Sequence, residues 1–243
     1  MATIDKAKWG DFWRYFNNQP QQQQGIALLY DQMPESLLQE DAAWITKYRE
    51  KPPAPQGKIT PDLMHQVTSY PATSFDQNFC DDFNSLLEVT GFSKHDDASQ
   101  MLGANLAHES CNFVYMQEIA SGEAYNGRSD LGNVYPGDGP KFKGCGPLQL
   151  TGRHNHHKFK EWLLSKKKID DPKVENNNQP PEVGTAYTSN KYPFLCAVDW
   201  IERNQLLTVC LEQGFDACCY RINGGWNGID DRRAKYKIWQ KFY

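Results

Sequence analysis

No stretch of the 243 residues approaches the roughly 18 consecutive apolar positions that a membrane-spanning helix needs. The opening MATIDKAKWGDFW lacks an apolar core behind its charges, so a secretory leader is not expected and synthesis in a cytoplasm is. Positive charge is scarce: 26 Lys and Arg face 30 Asp and Glu, for a net charge of −4. Sequence-independent nucleic-acid binding is therefore not the main task. There is no internal repeat, and strand signals are few and short. No cysteine pair has CxxC spacing, which argues against a zinc knuckle. The seven cysteines (Cys80, Cys111, Cys145, Cys196, Cys210, Cys218 and Cys219) are odd in number and too sparse for a disulfide scaffold. They read as buried, reduced thiols.

What is present suits a globular chain. Apolar residues make up 39% and charged residues 23%, enough for a real core. Residues 1–50 stand apart. They carry Trp9, Phe12, Trp13 and Phe16 at i, i+3, i+4, i+7, which is one helical face, and a glutamine run from Gln21 to Gln24. They read as a small helical appendage whose aromatic stripe is its own core or a docking face. Residues 51–57, Lys-Pro-Pro-Ala-Pro-Gln-Gly, read as a stiff connector. Residues 58–243 form the main domain, mainly α with a small β element. Thr60 before Pro61 marks a helix start, and Asp97 or Ser99 is expected to cap a helix running through His108. Residues 121–147, rich in glycine, asparagine and aspartate, read as a long functional loop or a short irregular sheet. Residues 165–192 read as a polar surface stretch.

The chemistry gathers around carboxyls. Glu109, in Ala107-His108-Glu109-Ser110, ends an apolar helix, where a partly buried carboxyl suits a general acid. Glu118 follows nine residues later, then Glu123, Asp130 and Asp138. Cleaving a glycosidic bond takes two carboxyls, one to protonate the leaving oxygen and one to activate water or attack the sugar. The stretch from Tyr135 to Arg153 packs glycines, which allow close backbone approach to a ligand, around small polar side chains. Gln149 and Thr151, two apart, would share one face of a strand.

Taken together, ANLAHES, EIASG, GRSDLGN, PGDGPKFKGCGPLQLTGRHN and RINGGWNGIDDR, in this order over about residues 60–240, resemble the family 19 glycoside hydrolases. That is the chitinase and phage-endolysin group with a lysozyme-like α+β fold, and the likeness is greatest to the phage-type endolysins. The resemblance implies an inverting glycosidase that cuts β-1,4 bonds between amino sugars without metal or other cofactor. Peptidoglycan glycan strands are the implied substrate, and chitin has the same linkage. It implies Glu109 as general acid, Glu118 as general base and Thr151 as a holder of the attacking water. Gln149, Asn155 and Asn223 would bind the sugar chain, and Arg232 would organise the carboxylates. Cys145 stands where the family usually has arginine, and Asn126 where relatives often have glutamate. His108, His154, His156 and His157 lack an H-E-x-x-H arrangement and read as polar cleft or surface residues, not as a zinc site. Residues 1–50 would then dock the enzyme on a virion tail, a secretion machine or the cell wall.

Overall fold

Helix α1 (Pro61–Thr68) starts where capping chemistry places it. Thr60 is extended, its hydroxyl accepts from the Leu63 amide at 3.1 Å, and Pro61 fills the first helical position. Helix α2 (Gln77–Val89) is capped by Asp76, whose carboxylate accepts from the Phe79 amide at 2.8 Å. Helix α3 (Asp96–Glu109) follows. Neither Asp97 nor Ser99 is its cap, because the helix begins earlier, after His95. Asp96 and Asp97 instead lie in its positive first turn, and the Ser99 hydroxyl turns back to the Phe92 carbonyl at 2.9 Å. The computed structural model describes residues 57–176 and 183–243. The expected N-terminal helices, most of the 51–57 connector and the Asn177-to-Pro181 loop lie outside the described residues.

The rest of the described chain, part of one unit from Gln56 to Tyr243, is also helical. Helix α4 (Asp138–Lys141) is a single turn, and α5 (Arg153–Trp162) runs into a π-helical turn at Leu163–Lys167. Helix α6 spans Thr185–Lys191, α7 Val198–Arg203, α8 Leu206–Asn223 and α9 Ile229–Phe242. Helix α8 bends at Gly214, where φ is 80° and ψ is −170°. Among the described residues the β element is reduced to two isolated bridges, Gln117 with Cys145 and Cys145 with Leu150. The 121–147 segment is therefore neither sheet nor open loop. It is a chain of tight turns, with 3₁₀ turns at Glu123–Tyr125 and Ser129–Leu131 before α4. The described part of the 165–192 stretch divides between the π-helical turn, a turn after Asp171 and α6.

Helix α3 is the central element. Residues Ala98, Ser99 and Met101 through Ala107 are all buried, as expected of a helix surrounded by others. Its main neighbour is α9. Gly103 makes that contact possible, since a Cβ at this position would lie 2.7 Å from the Trp239 ring. The aromatic core beside it includes Phe83 stacked on Phe194 at 4.1 Å between centroids, with Phe79 and Phe113 edge-on to Phe194. One carboxylate enters this core. Asp82 accepts from the Phe194 and Leu195 amides at 2.7 and 3.0 Å, fixing the chain just before α7. Burial drives the Asp82 carboxyl up to about 7 against those two amide bonds.

Two outcomes follow from this packing. Gly103→Ala overpacks the contact with Trp239 and should lower the unfolding free energy by about 1–3 kcal/mol in denaturant titration. Asp82 keeps its proton to about 7 when folded but only to its ordinary 3.8 when unfolded. Its contribution therefore falls as pH rises from about 4 through 7. Measured against pH, the stability of wild type relative to Asp82→Asn should decline across that window and stay level above it.

Candidate active site

Glu109 is the last residue of α3, so its side chain emerges from the end of the buried helix and is 26% exposed. Oε1 accepts from Nη2 of Arg232, on the first turn of α9. Arg232 is 1% exposed and carries a charge into the interior. Nη1 donates to Asn105 Oδ1 at 2.8 Å, and Nε approaches the Asn227 carbonyl at 3.4 Å. Asn105, one helical turn before Glu109 on the same face, in turn donates to the Met101 carbonyl at 2.9 Å. The guanidinium is thus matched by a charge and a neutral acceptor from α3, which a buried cation requires. Among the described residues, Oε2 of Glu109 has no hydrogen-bond partner.

The chain then turns sharply. Cys111, Asn112 and Phe113 all have positive φ, at 50°, 58° and 67°. Three successive left-handed residues without glycine are costly, and local bonds hold them. The Asn112 amide reaches the Ala107 carbonyl at 2.6 Å, the Phe113 amide reaches Ser110 Oγ at 3.0 Å, and Lys235 Nζ holds Asn112 Oδ1 at 2.8 Å. The turn delivers Glu118 to the glycine-rich strip. There the Glu118 amide bonds the Gly144 carbonyl at 2.9 Å, and the Gly146 amide bonds the Met116 carbonyl at 2.8 Å.

The Glu118 carboxylate is held by both oxygens. Oε1 accepts from the Tyr125 hydroxyl at 3.0 Å and Oε2 from the Gly144 amide at 2.8 Å. The hydrogen bond to Glu118, helped by burial, raises the Tyr125 phenol, which keeps it a donor. At Gly144 a Cβ would meet the end of the Gln149 side chain and press on Glu118 Cβ at 3.1 Å. Gln149 is therefore packed beside Glu118. It is not on a strand, as the two-residue spacing suggested. It sits in a turn with φ of 53°, its amide donating to the Gly146 carbonyl at 2.9 Å. Thr151 Oγ1 donates to the Gln149 carbonyl at 2.8 Å, and Asn155 Nδ2 to the Thr151 carbonyl at 2.7 Å. These three residues line a cavity of about 150 Å³ with Leu131, Asp199 and Trp200.

The structure thus forms two constellations from the residues singled out in the sequence. Glu109 joins Arg232, and Glu118 joins Gln149, Thr151 and Asn155. Among the described residues no hydrogen bond links the two groups. Asn223 closes α8 away from both hydrogen-bond networks, and its Oδ1 is buried without a partner. Asn105, Tyr125 and the Gly144 amide were missed. Asn105 had a signal, its four-residue spacing to Glu109 in an apolar helix; the other two depend on how distant turns fold.

The remaining acidic residues and three of the four histidines singled out have other partners. Asp130 pairs with Arg128 at 2.6 Å, and Glu123 accepts from Asn126 Nδ2 at 2.5 Å. Asp138 and Glu175 clasp the Arg153 guanidinium at 2.5 and 2.7 Å, and Arg153 lies over the Tyr135 and Phe142 rings. Burial pushes the Asp138 carboxyl up, but Arg153 and the Tyr135 amide outweigh it and hold it below its usual range. This knot fixes the loop that carries Gly144. His108 faces Asp231 at 2.6 Å, His157 faces Glu175 at 3.2 Å, and His156 is buried against the Gly152 carbonyl.

No family model matches the chain. A "Glycosyl hydrolase family 19 domain-containing protein" of Haemophilus influenzae is 30% identical over 120 residues. That match covers 49% of this chain and 52% of the relative, so the chain spans about half the length of the curated protein it resembles. Two solved structures share the fold. A mutant of chitinase C superposes with a TM-score of 0.51 over 76% of this chain and 91% of its own. Chitinase C from Streptomyces griseus HUT6037 superposes at 0.50 over the same shares, both at 15% identity. The lysozyme-like helical fold of those chitinases is the fold of this chain.

Arg232 gives the site its first test. Arg232→Met leaves Glu109 and Asn105 without their buried partner. It should cost about 3–5 kcal/mol in chemical denaturation. Arg232→Met combined with Glu109→Gln should cost clearly less than the sum of the single changes, because the two share one interaction.

Proposed function

We propose that this chain is a glycoside hydrolase that cuts β-1,4 bonds between amino sugars of bacterial peptidoglycan by inverting acid/base hydrolysis. The observation that carries this reading is the pair of differently held glutamates on a fold shared with chitinases. Glu109 keeps one oxygen free beside a buried arginine and serves as the proton donor to the leaving sugar oxygen. Glu118, anchored through both oxygens, retains lone pairs for a water proton and serves as general base. Thr151 spends its hydroxyl proton on the Gln149 carbonyl, so its oxygen is left to accept from that water. Gln149 and Asn155 line the adjoining cavity and hold the sugar chain. Among the described residues no group of three or more His, Cys, Asp or Glu is placed to hold a metal ion.

Chitin is the second reading, favoured by the two chitinase structures that share the fold. The phage-type motifs SDLGNVYPGDG favour the wall polymer and an endolysin, tail or secretion-machine setting. In that setting the chain is made in a cytoplasm and acts on the wall, and residues 1–50 dock it there.

The stereochemistry tests the roles. Proton NMR during hydrolysis of a β-1,4 amino-sugar oligomer should show the α-anomer of the new reducing end first; the β-anomer first would mean a covalent intermediate. Glu118→Gln should lower turnover by at least about 100-fold. Tyr125→Phe, which removes one of two anchors, should lower it about tenfold with little change in KM. Full activity in Glu118→Gln would reject Glu118 as the base.

A further inference from the structure

Helix α9 grips the end of α3 through three side chains, and only one of these grips is the Glu109 ion pair. Before the glutamate, His108 Nδ1 lies 2.6 Å from Asp231 Oδ2. At the glutamate, Arg232 donates to Oε1. Beyond it, Lys235 Nζ donates to Asn112 Oδ1 at 2.8 Å. Lys235 is one turn on from Asp231 along α9, and its amine is also 3.6 Å from Asp231 Oδ2. That carboxylate oxygen thus faces both a histidine of α3 and a lysine of its own helix. Burial pushes the Asp231 carboxyl up, but His108 and Lys235 outweigh it and hold it below its usual range, so it stays an anion between them. Gly228, just before α9, allows the close contact, since a Cβ there would overlap the His108 ring.

Lys235 is not an ordinary surface lysine. Its side chain is only 17% exposed, so a long, flexible amine has given up rotamer freedom to lie there. What it reaches is the middle of the left-handed triplet, with φ of 58° at Asn112 between 50° at Cys111 and 67° at Phe113. Asparagine tolerates that conformation better than most residues, but three such residues in succession need to be held. The Asn112 amide is held from inside α3, by the Ala107 carbonyl at 2.6 Å. Its side chain is held from outside, by Lys235 of α9. The triplet sets the direction in which the chain leaves Glu109 and runs to Glu118. A tie on its middle residue therefore acts on the placement of both carboxyls without bonding to either.

We propose that Lys235 is a positioning residue: by holding Asn112 left-handed, it fixes where the chain carries Glu118 relative to Glu109. The inference rests on the acid and base roles proposed above for these two glutamates. An inverting reaction has to admit a water between its carboxyls, so their separation is part of the chemistry. Loosening the tie lowers the fraction of molecules with both carboxyls in place. It leaves Gln149, Thr151 and Asn155 where they are, because those side chains bond within their own turn and the start of α5.

Kinetics on a β-1,4 amino-sugar oligomer and hydrogen exchange, both on the full chain, test the assignment. Lys235→Met should lower kcat about tenfold with KM within about twofold. Lys235→Arg, which keeps a charged donor, should recover most of that loss. The Asn112 amide should exchange at least about tenfold faster in Lys235→Met, with amides inside α3 such as Leu102 unchanged. Adding Asn112→Gly separates position from stability. Glycine takes positive φ without strain, so the double variant should regain the Tm lost in Lys235→Met while kcat stays low. Unchanged kcat or unchanged Asn112 exchange in Lys235→Met overturns the assignment, and so does a kcat that returns together with Tm. Faster exchange in Lys235→Met beside full activity in Glu109→Gln would reject the glutamate roles and not the tie.

Discussion

The buried Arg232 guanidinium is the constraint around which the site is arranged. A cation at 1% exposure is tolerated only with matched acceptors, and both side-chain acceptors come from α3: Asn105 and, one turn on, Glu109. Satisfying the charge therefore fixes the register of α9 against α3. The same register seats Trp239 against Gly103 two turns away from Arg232 on α9. Core packing and the orientation of the helix-terminal glutamate are thus one problem with one solution. The carboxylate that ends α3 thus neutralises a cation carried by α9.

The second glutamate is positioned by backbone. Glu118 lies beyond a left-handed triplet that stops α3 and redirects the chain, and its carboxylate is then caught by a glycine amide and a tyrosine. The strip it joins is held from outside by the Arg153, Asp138 and Glu175 cluster and from below by Cys145. Two carboxyls nine residues apart in sequence thus rest on different supports, side-chain charge for one and backbone amide for the other.

Local chemistry was legible in the sequence and distant packing was not. Thr60-Pro61 could be read because a cap and its helix are neighbours. The α3 cap was placed too late because Asp97 and Ser99 are good capping residues that here serve a helix already begun. The strand expected at Gln149 and Thr151 failed for a non-local reason. The 144–152 segment is folded by bonds to Met116 and Glu118, and two bridges do not make a ladder. Glu109 and Arg232 were chosen from motifs 123 residues apart, and the fold puts them in contact. The Asn105 link between Arg232 and α3, and the role of Tyr125, emerge only once those elements are packed.

The most direct measurement is a digest of purified peptidoglycan by wild type and by Glu109→Gln, with the fragments reduced by borohydride and analysed by mass spectrometry. The account predicts new reduced sugar ends from wild type and none from the variant, with the reduced sugar naming the bond. Equal release of sugar ends by both proteins, or freed peptides without new sugar ends, would contradict it.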